Sequence, residues 1–122
     1  MMKDKDSFGE LLSLDKSSYG FLLLKDGKFI ACNDKVIEML GYQYKEEFLN
    51  LHPARLSPLL QPDGACSITK AHEMIQHCYD KGEHQFFWTH LRKDGEEFVC
   101  EITLTKIFMD AEPMVHVRWS EI

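Results

Sequence analysis

The sequence has no apolar run long enough to cross a membrane. A membrane-spanning helix needs about 20 mostly apolar residues, and no apolar run here is longer than Phe21–Leu24. The start of the chain, Met1–Asp6, is polar and is not followed by the apolar stretch of a signal peptide. We therefore expect a cytoplasmic protein with no membrane-embedded part.

Positive charge is also scarce. The 14 Lys and Arg residues are outnumbered by 20 Asp and Glu residues, so the formal net charge is −6. Nucleic acids and anionic membrane surfaces bind clusters of Lys and Arg. We therefore expect neither of them to be a partner of this chain.

Several signatures of catalytic and metal sites are missing. No Cys-x-x-Cys pair occurs, no glycine-rich phosphate loop is present, and the His and acidic residues lack metal-ligand spacing. No set of nucleophile, base and orienting group stands out either. We therefore predict neither a metal site nor an enzyme, and interpret the cysteines as small apolar residues, namely Cys32, Cys66, Cys78 and Cys100.

Two Asp-Gly pairs between apolar runs are the strongest pattern that is present. Asp-Gly is the typical centre of a tight hairpin turn, because positive φ is needed there. The pairs predict a first hairpin from Gly20–Lys25 and Lys28–Asn33 and a second from His84–Lys93 and Glu97–Ile107. A fifth strand follows at Met114–Trp119, where apolar and polar residues alternate.

Helical patterns fill the middle of the chain. Asn33-Asp34 begins a helix that ends near Gly41, a helical turn follows at Lys45–Leu49, and the longest helix runs from Ser67 to Gly82. A further amphipathic helix is predicted at Ser7–Leu14. The expected fold is α+β, a five-stranded antiparallel sheet with helices packed on one face.

Three segments together resemble a PAS domain, a sensor module of bacterial signalling proteins. The loop 52–64, HPARLSPLLQPDG, is similar to the HPARLSP-x-x-QPDG loop of one bacterial subgroup of this family. The stretch Ala31–Tyr42 and the hairpin Phe86–Thr105 are similar to two other family motifs. The resemblance divides the chain into an N-terminal amphipathic helix that caps a dimer, residues 1–18, and a sensor domain, residues 19–122.

The resemblance also implies a role in signal transduction. Ser120–Ile122 stands where many PAS domains carry Asp-Ile-Thr before an effector domain, such as a diguanylate cyclase, a histidine kinase or a chemoreceptor. We therefore expect a homodimer that passes a signal to a C-terminal effector of two-component or cyclic-di-GMP signalling. The outer sheet face should carry Glu101, Thr103, Thr105, His116 and Arg118, covered in part by a second chain or by the N-terminal helix.

The expected ligand pocket lies between the sheet and the longest helix. Its mostly apolar lining is typical of ligand sites, although the same residues would also fill an ordinary core. Arg55 is either a clamp on a nearby carboxylate or a cap on an acidic ligand. The other candidate lining residues are Phe29, Ile37, Leu40, Phe48, Leu56, Ile75, Trp88, Cys100, Ile102, Leu104, Val117 and Trp119.

The identity of a cofactor stays open. Haem is one alternative, with His72 as the best candidate ligand beside His52 and His77, although a His on an apolar helix face is also typical of core packing. A photoactive flavin is not expected, because 49–53 lacks the reactive Cys of flavin-binding relatives. A small cone-shaped α+β isomerase is another alternative, and it would require a buried Asp or Tyr facing the pocket.

Overall fold

The computed structural model describes residues 19–51 and 55–122. Within them, five strands form one antiparallel sheet in the order β2-β1-β5-β4-β3, and three helices connect β2 to β3. The predicted α+β architecture is confirmed, while the predicted helix at Ser7–Leu14 lies outside the described residues. The elements are β1 (Tyr19–Lys25), β2 (Lys28–Cys32), α1 (Asp34–Leu40), α2 (Lys45–Leu49), α3 (Ser67–Lys81), β3 (Glu83–Leu91), β4 (Glu97–Met109) and β5 (Glu112–Glu121).

The two Asp-Gly pairs form different turns. Asp26 and Gly27 both have positive φ, 52° and 78°, as the two-residue turn between β1 and β2 requires. In the second pair only Gly95 has positive φ, and its N–H donates to the Arg92 carbonyl at 3.0 Å. The second predicted hairpin is confirmed, but its β3–β4 loop is longer than a two-residue turn and places only the glycine in the left-handed region.

Asn33 fixes the start of α1 against the sheet. Its side-chain oxygen accepts the N–H of Val36 at 3.3 Å, which caps the helix, and the N–H of Phe21 on β1 at 3.0 Å. Its amide nitrogen donates to the Tyr19 carbonyl at 3.1 Å. The helix ends at Gly41, whose φ of 81° is the left-handed conformation that glycine adopts without strain.

The sheet face that meets the helices carries most of the core. Along β1, β5 and β4 an aliphatic layer forms because Leu22 pairs with Val117 and Val117 with Leu104. A methyl group at Gly20 would lie 2.8 Å from a Val36 methyl, so α1 approaches β1 too closely for a larger residue. The aliphatic layer consists of Leu22, Leu24, Leu104, Val115 and Val117, all buried.

Not all apolar residues of α3 are buried against the sheet. Cys78 is fully buried, and Ala71, Met74 and Ile75 pack against the core. Ile68, near the start of the helix, is apolar but 52% exposed. The helix therefore meets the sheet along one line of side chains and leaves its flanks in solvent.

The opposite sheet face is mixed in character. The predicted residues Glu101, Thr103, Thr105, His116 and Arg118 alternate with core residues and are half-buried on this outer face. Phe87 and Val99 also lie on it and are exposed by 62% and 40%. Phe21, Leu23 and Met114 share this face and are buried.

Candidate functional site

The structure gathers the predicted pocket residues between the sheet and the helices. Phe29 and Ile75 are partly buried and pack against this cluster, and Phe29 lies 5.5 Å from the Phe48 ring. These residues are in mutual contact, which is the geometry of a packed core as well as of a closed ligand site. The buried members are Ile37, Leu40, Phe48, Leu56, Trp88, Cys100, Ile102, Leu104, Val117 and Trp119.

Arg55 is placed differently from these residues. Its side chain is exposed, and no carboxylate in the described ranges forms an ion pair with it. In this conformation it neither clamps a described carboxylate nor faces the core. A role in capping a ligand stays a prediction.

The loop that carries the most specific family motif covers the free edge of the sheet. The Gln61 side chain accepts the N–H of Thr89 at 2.9 Å and donates to the carbonyl of the same residue at 3.1 Å. The N–H of Leu91 donates to the Leu56 carbonyl at 2.8 Å. Because an open strand edge is a template for unwanted pairing, the described part of this loop serves the structure by capping β3.

The interior also contains a buried polar ring, that of His90. His90 is 5% exposed, and neither ring nitrogen makes a hydrogen bond of normal geometry within the described residues. Its ring lies 3.9 Å from the Trp119 indole and 5.5 Å from the Phe98 ring. A buried polar group without a partner typically costs about 1–3 kcal/mol, so His90 is a weak point in an otherwise apolar core.

Burial decides the charge of His90. It lowers the pKa of this imidazole to about 3, and a weaker interaction with the backbone of Leu56 opposes the shift. The ring is therefore neutral near pH 7, with one nitrogen able to donate and the other able to accept a hydrogen bond. It could orient a small polar molecule that enters the core.

Arg92 connects this interior to the last residues of β5. Its guanidinium donates to Glu96 and to Glu121, each at 2.7 Å, and to the Met39 carbonyl at the end of α1. It also stacks 4.1 Å from the centre of the Phe98 ring. We name His90, Arg92, Phe98, Trp119 and Glu121 the exit cluster, because it joins the core to the C-terminal end of the described chain.

The remaining histidine and tyrosine candidates lie at the margins of the core. His72 and His77 are exposed on α3, so neither ring faces the interior in this conformation, and His52 lies outside the described residues. Haem ligation by His72 stays a prediction. Tyr42 and Tyr79 pack against the core but are only half-buried, and every Asp that the structure describes is exposed.

Two depressions lie on the surface of the described part of the chain. One of about 390 Å³ lies between α1 and α2 and is lined by Ile37, Tyr42 and polar neighbours. The other, of about 440 Å³, lies along β3 and β4 beside His84 and Thr103. Both are open to solvent, and neither lies between α3 and the sheet.

The contacts of His90, Arg92 and Gln61 do not follow from local sequence patterns. His90 follows Phe86 and Trp88 at period two, which places it on the core face, but this alternation does not indicate that its ring meets Trp119 of β5. Arg92 belongs to the hairpin motif Phe86–Thr105, but its partners come from α1, the β3–β4 loop and β5, so its contacts depend on the folded chain. Gln61 belongs to the motif, but its target on β3 depends on the folded edge of the sheet.

Comparison with known proteins gives a consistent result. A family model described as PAS domain matches residues 18–120. The PAS domain of a two-component sensor histidine kinase is similar, with a TM-score of 0.71 and 16% identity over 99% of this chain and 97% of that one. A PAS domain from Colwellia psychrerythraea has a TM-score of 0.70 and 16% identity over 100% of this chain and 98% of that one.

A third similar structure is a complex with a small molecule. It is the PAS domain, in complex with ethanol, of a transcriptional regulator of the LuxR family from Burkholderia thailandensis. Its TM-score is 0.67, with 15% identity over 97% of this chain and 96% of that one. Among curated proteins no match is found. None of the described helices has the length and apolar character needed to span a bilayer.

Proposed function

This chain belongs to the PAS domain family, and we propose that it senses a small ligand or a partner and passes the signal to a C-terminal effector domain. PAS domains are typically sensory modules without enzymatic activity. The observation that carries the proposal is the path of β5, which places Trp119 against His90 in the core and Glu121 on Arg92 two residues later. A change at the core thus has a short route to the end of the strand.

The ligand would enter beside His90. The ring nitrogens make no hydrogen bond of normal geometry with a described residue, and the ring is flanked by the aromatic rings of Phe98 and Trp119. The ethanol complex of a similar PAS domain supports the idea that this fold holds small polar molecules. The mechanism is a shift between two packings of the core, and it requires that the ligand bind them with different affinity.

Tryptophan emission tests the ligand part of this proposal. Trp88 and Trp119 are the only two tryptophans, and both are buried in the cluster next to the proposed entry. A library of small polar metabolites should contain compounds that change the emission of the parent and have much less effect on His90→Leu. Native mass spectrometry should then show the added mass. Compounds that act equally on both proteins would overturn the assignment of His90.

The proposed assembly is a homodimer that uses the outer sheet face, with residues 1–18 as part of its contact. Phe87 and Val99 supply exposed apolar area on this face. Phe87→Asp should reduce the sedimenting mass from dimer to monomer. Phe108→Asp is the matched control, because Phe108 is also 62% exposed but lies near the β4–β5 turn. Equal masses for the two variants would argue against the outer face, and a monomeric parent would argue against a dimer.

The effector would be a diguanylate cyclase, a histidine kinase or a chemoreceptor body, and the signalling route two-component or cyclic-di-GMP. The resemblance of Ser120–Ile122 to the Asp-Ile-Thr junction supports this assignment. The cytoplasmic location expected from the sequence stays a prediction. In the full-length protein, Glu121→Gln should weaken the response of the effector to the ligand while ligand binding by the domain stays within about twofold.

A further inference from the structure

Two histidines and a methionine converge where α3 ends and β3 begins. Met74 and His77 lie three residues apart on α3, so they share a face of the helix. His84 lies on β3, and its Nε2 is 3.1 Å from the Met74 sulfur. The ring centres of His77 and His84 are 4.1 Å apart. His84 thus contacts both a second imidazole and a thioether.

The distance between Nε2 of His84 and the Met74 sulfur fits a shared metal ion. Metal bonds of about 2.0 Å to imidazole nitrogen and about 2.3 Å to sulfur would separate the two atoms by about 3.1–3.5 Å at angles of about 90–110°. The observed separation of 3.1 Å lies at the short end of this range. An ion could therefore join the two side chains with little displacement of either.

The site is accessible and its ligands are available. His77 is exposed, and His84 lies at the open depression of about 440 Å³ along β3 and β4. Each of the two imidazoles carries a free nitrogen lone pair when its ring is neutral. A neutral imidazole is the form that coordinates metals.

The chemistry of the donors selects the metal. Thioether sulfur is a soft ligand that suits Cu(I), and imidazole also suits copper. Zinc is held in proteins by thiolate, imidazole and carboxylate, and no group of three His, Cys, Asp or Glu that could hold a metal occurs within 19–51 and 55–122. We propose that Met74, His77 and His84 form a Cu(I) site, which sequence spacing did not reveal because only His, Cys and acidic residues were considered.

The test is a competition for Cu(I) between the untagged protein and a coloured bicinchoninate complex, under ascorbate and without oxygen. It is done in a Cys66→Ser background, because Cys66 is exposed and hydrogen bonding toward Thr69 lowers the pKa of its thiol, which makes it a rival ligand. The expected result is one Cu(I) per chain. Met74→Leu and His84→Gln should each weaken binding by about tenfold or more.

Two control variants distinguish the loss of a copper ligand from a general effect of replacing a His or a Met. His72→Gln changes an exposed His on the same helix, and Met109→Leu changes a methionine at the far end of β4. Both should bind Cu(I) as the Cys66→Ser parent does, and all variants should melt within a few degrees of it without metal. Absent binding by the parent, equal loss in the controls, unchanged affinity in Met74→Leu, or equally tight Zn²⁺ binding would each overturn the site.

Discussion

The two ends of the helix-covered sheet face differ in what holds them together. The aliphatic layer contains only Leu and Val side chains, and packing accounts for every one of them. The exit cluster instead contains a buried imidazole that makes no hydrogen bond of normal geometry with the described residues, a stacked indole and an ion pair at the end of β5. Stability therefore depends mainly on the first region, while the second has the unused polar capacity that a sensor needs.

The largest effect is expected in the aliphatic layer. Leu22→Ala removes a fully buried side chain and should lower the free energy of unfolding by about 2–5 kcal/mol, because a cavity remains. Urea unfolding measures it. Leu59→Ala is the control, since Leu59 is 83% exposed and should change stability by less than about 0.5 kcal/mol. Similar values for both would contradict the assigned core.

The next largest effect is a pH-dependent change in stability that arises from His90 in the exit cluster. In the folded state the pKa of His90 is lowered to about 3, whereas in the unfolded chain it has its usual value near 6.5. Between these two pH values the unfolded chain binds a proton at His90 that the folded protein does not bind. The parent should therefore lose about 3 kcal/mol between pH 7 and pH 4 relative to His90→Leu. Urea unfolding of both proteins at each pH gives this difference. At pH 7 the variant should be at least as stable as the parent.

Parallel pH curves for the parent and His90→Leu would contradict the buried, neutral state of this ring. A large loss of stability in His90→Leu at pH 7 would show that the imidazole has a partner. Leu22→Val is a suitable control, because it perturbs the aliphatic layer and introduces or removes no titrating group.

A smaller effect is expected where the loop covers β3. Gln61→Ala leaves the N–H and carbonyl of Thr89 without their partners and should cost about 1–3 kcal/mol. Gln85→Ala is the control, because the exposed side chain of Gln85 makes one hydrogen bond, to Thr103. Thermal unfolding ranks the two variants. A loss for Gln85→Ala as large as that for Gln61→Ala would argue against the edge-covering role.

The smallest change in stability is expected for Arg92→Gln. Arg92 is partly exposed and its carboxylate partners more so, and such ion pairs contribute at most about 1 kcal/mol, less at high salt. Urea unfolding at low and high ionic strength measures this. Lys45→Gln, which removes the exposed ion pair with Asp34, is the control. A salt-independent loss of several kcal/mol would make Arg92 part of the stabilising core.

The sequence predicted the aliphatic layer better than the exit cluster, for a physical reason. Alternation with period two placed Val115 and Val117 inside and His116 outside, and the turn and cap residues set the limits of α1. These signals act between near neighbours in the chain. They predicted the order of the strands along the chain and the inward or outward direction of their side chains.

The exit cluster depends on contacts that sequence patterns do not contain. The rings of His90 and Trp119 come from β3 and β5, which do not pair with each other, and they meet across β4. On β4, His90 pairs with Phe98 and Trp119 pairs with Ile102, and the small side chain of Cys100 lies midway between these two partners. Such contacts depend on strand order and register together, and no local motif determines either of them.

Hydrogen exchange at the Ile122 amide tests the coupling between core and exit most directly. This N–H donates to the Val99 carbonyl at 3.0 Å, beside the Arg92–Glu121 ion pair. His90→Ala should accelerate its exchange several-fold more than Leu104→Ala, which perturbs the aliphatic layer away from the exit. Equal exchange at Ile122 in the two variants, or no change in His90→Ala, would contradict a route from the core to the C-terminal end of β5.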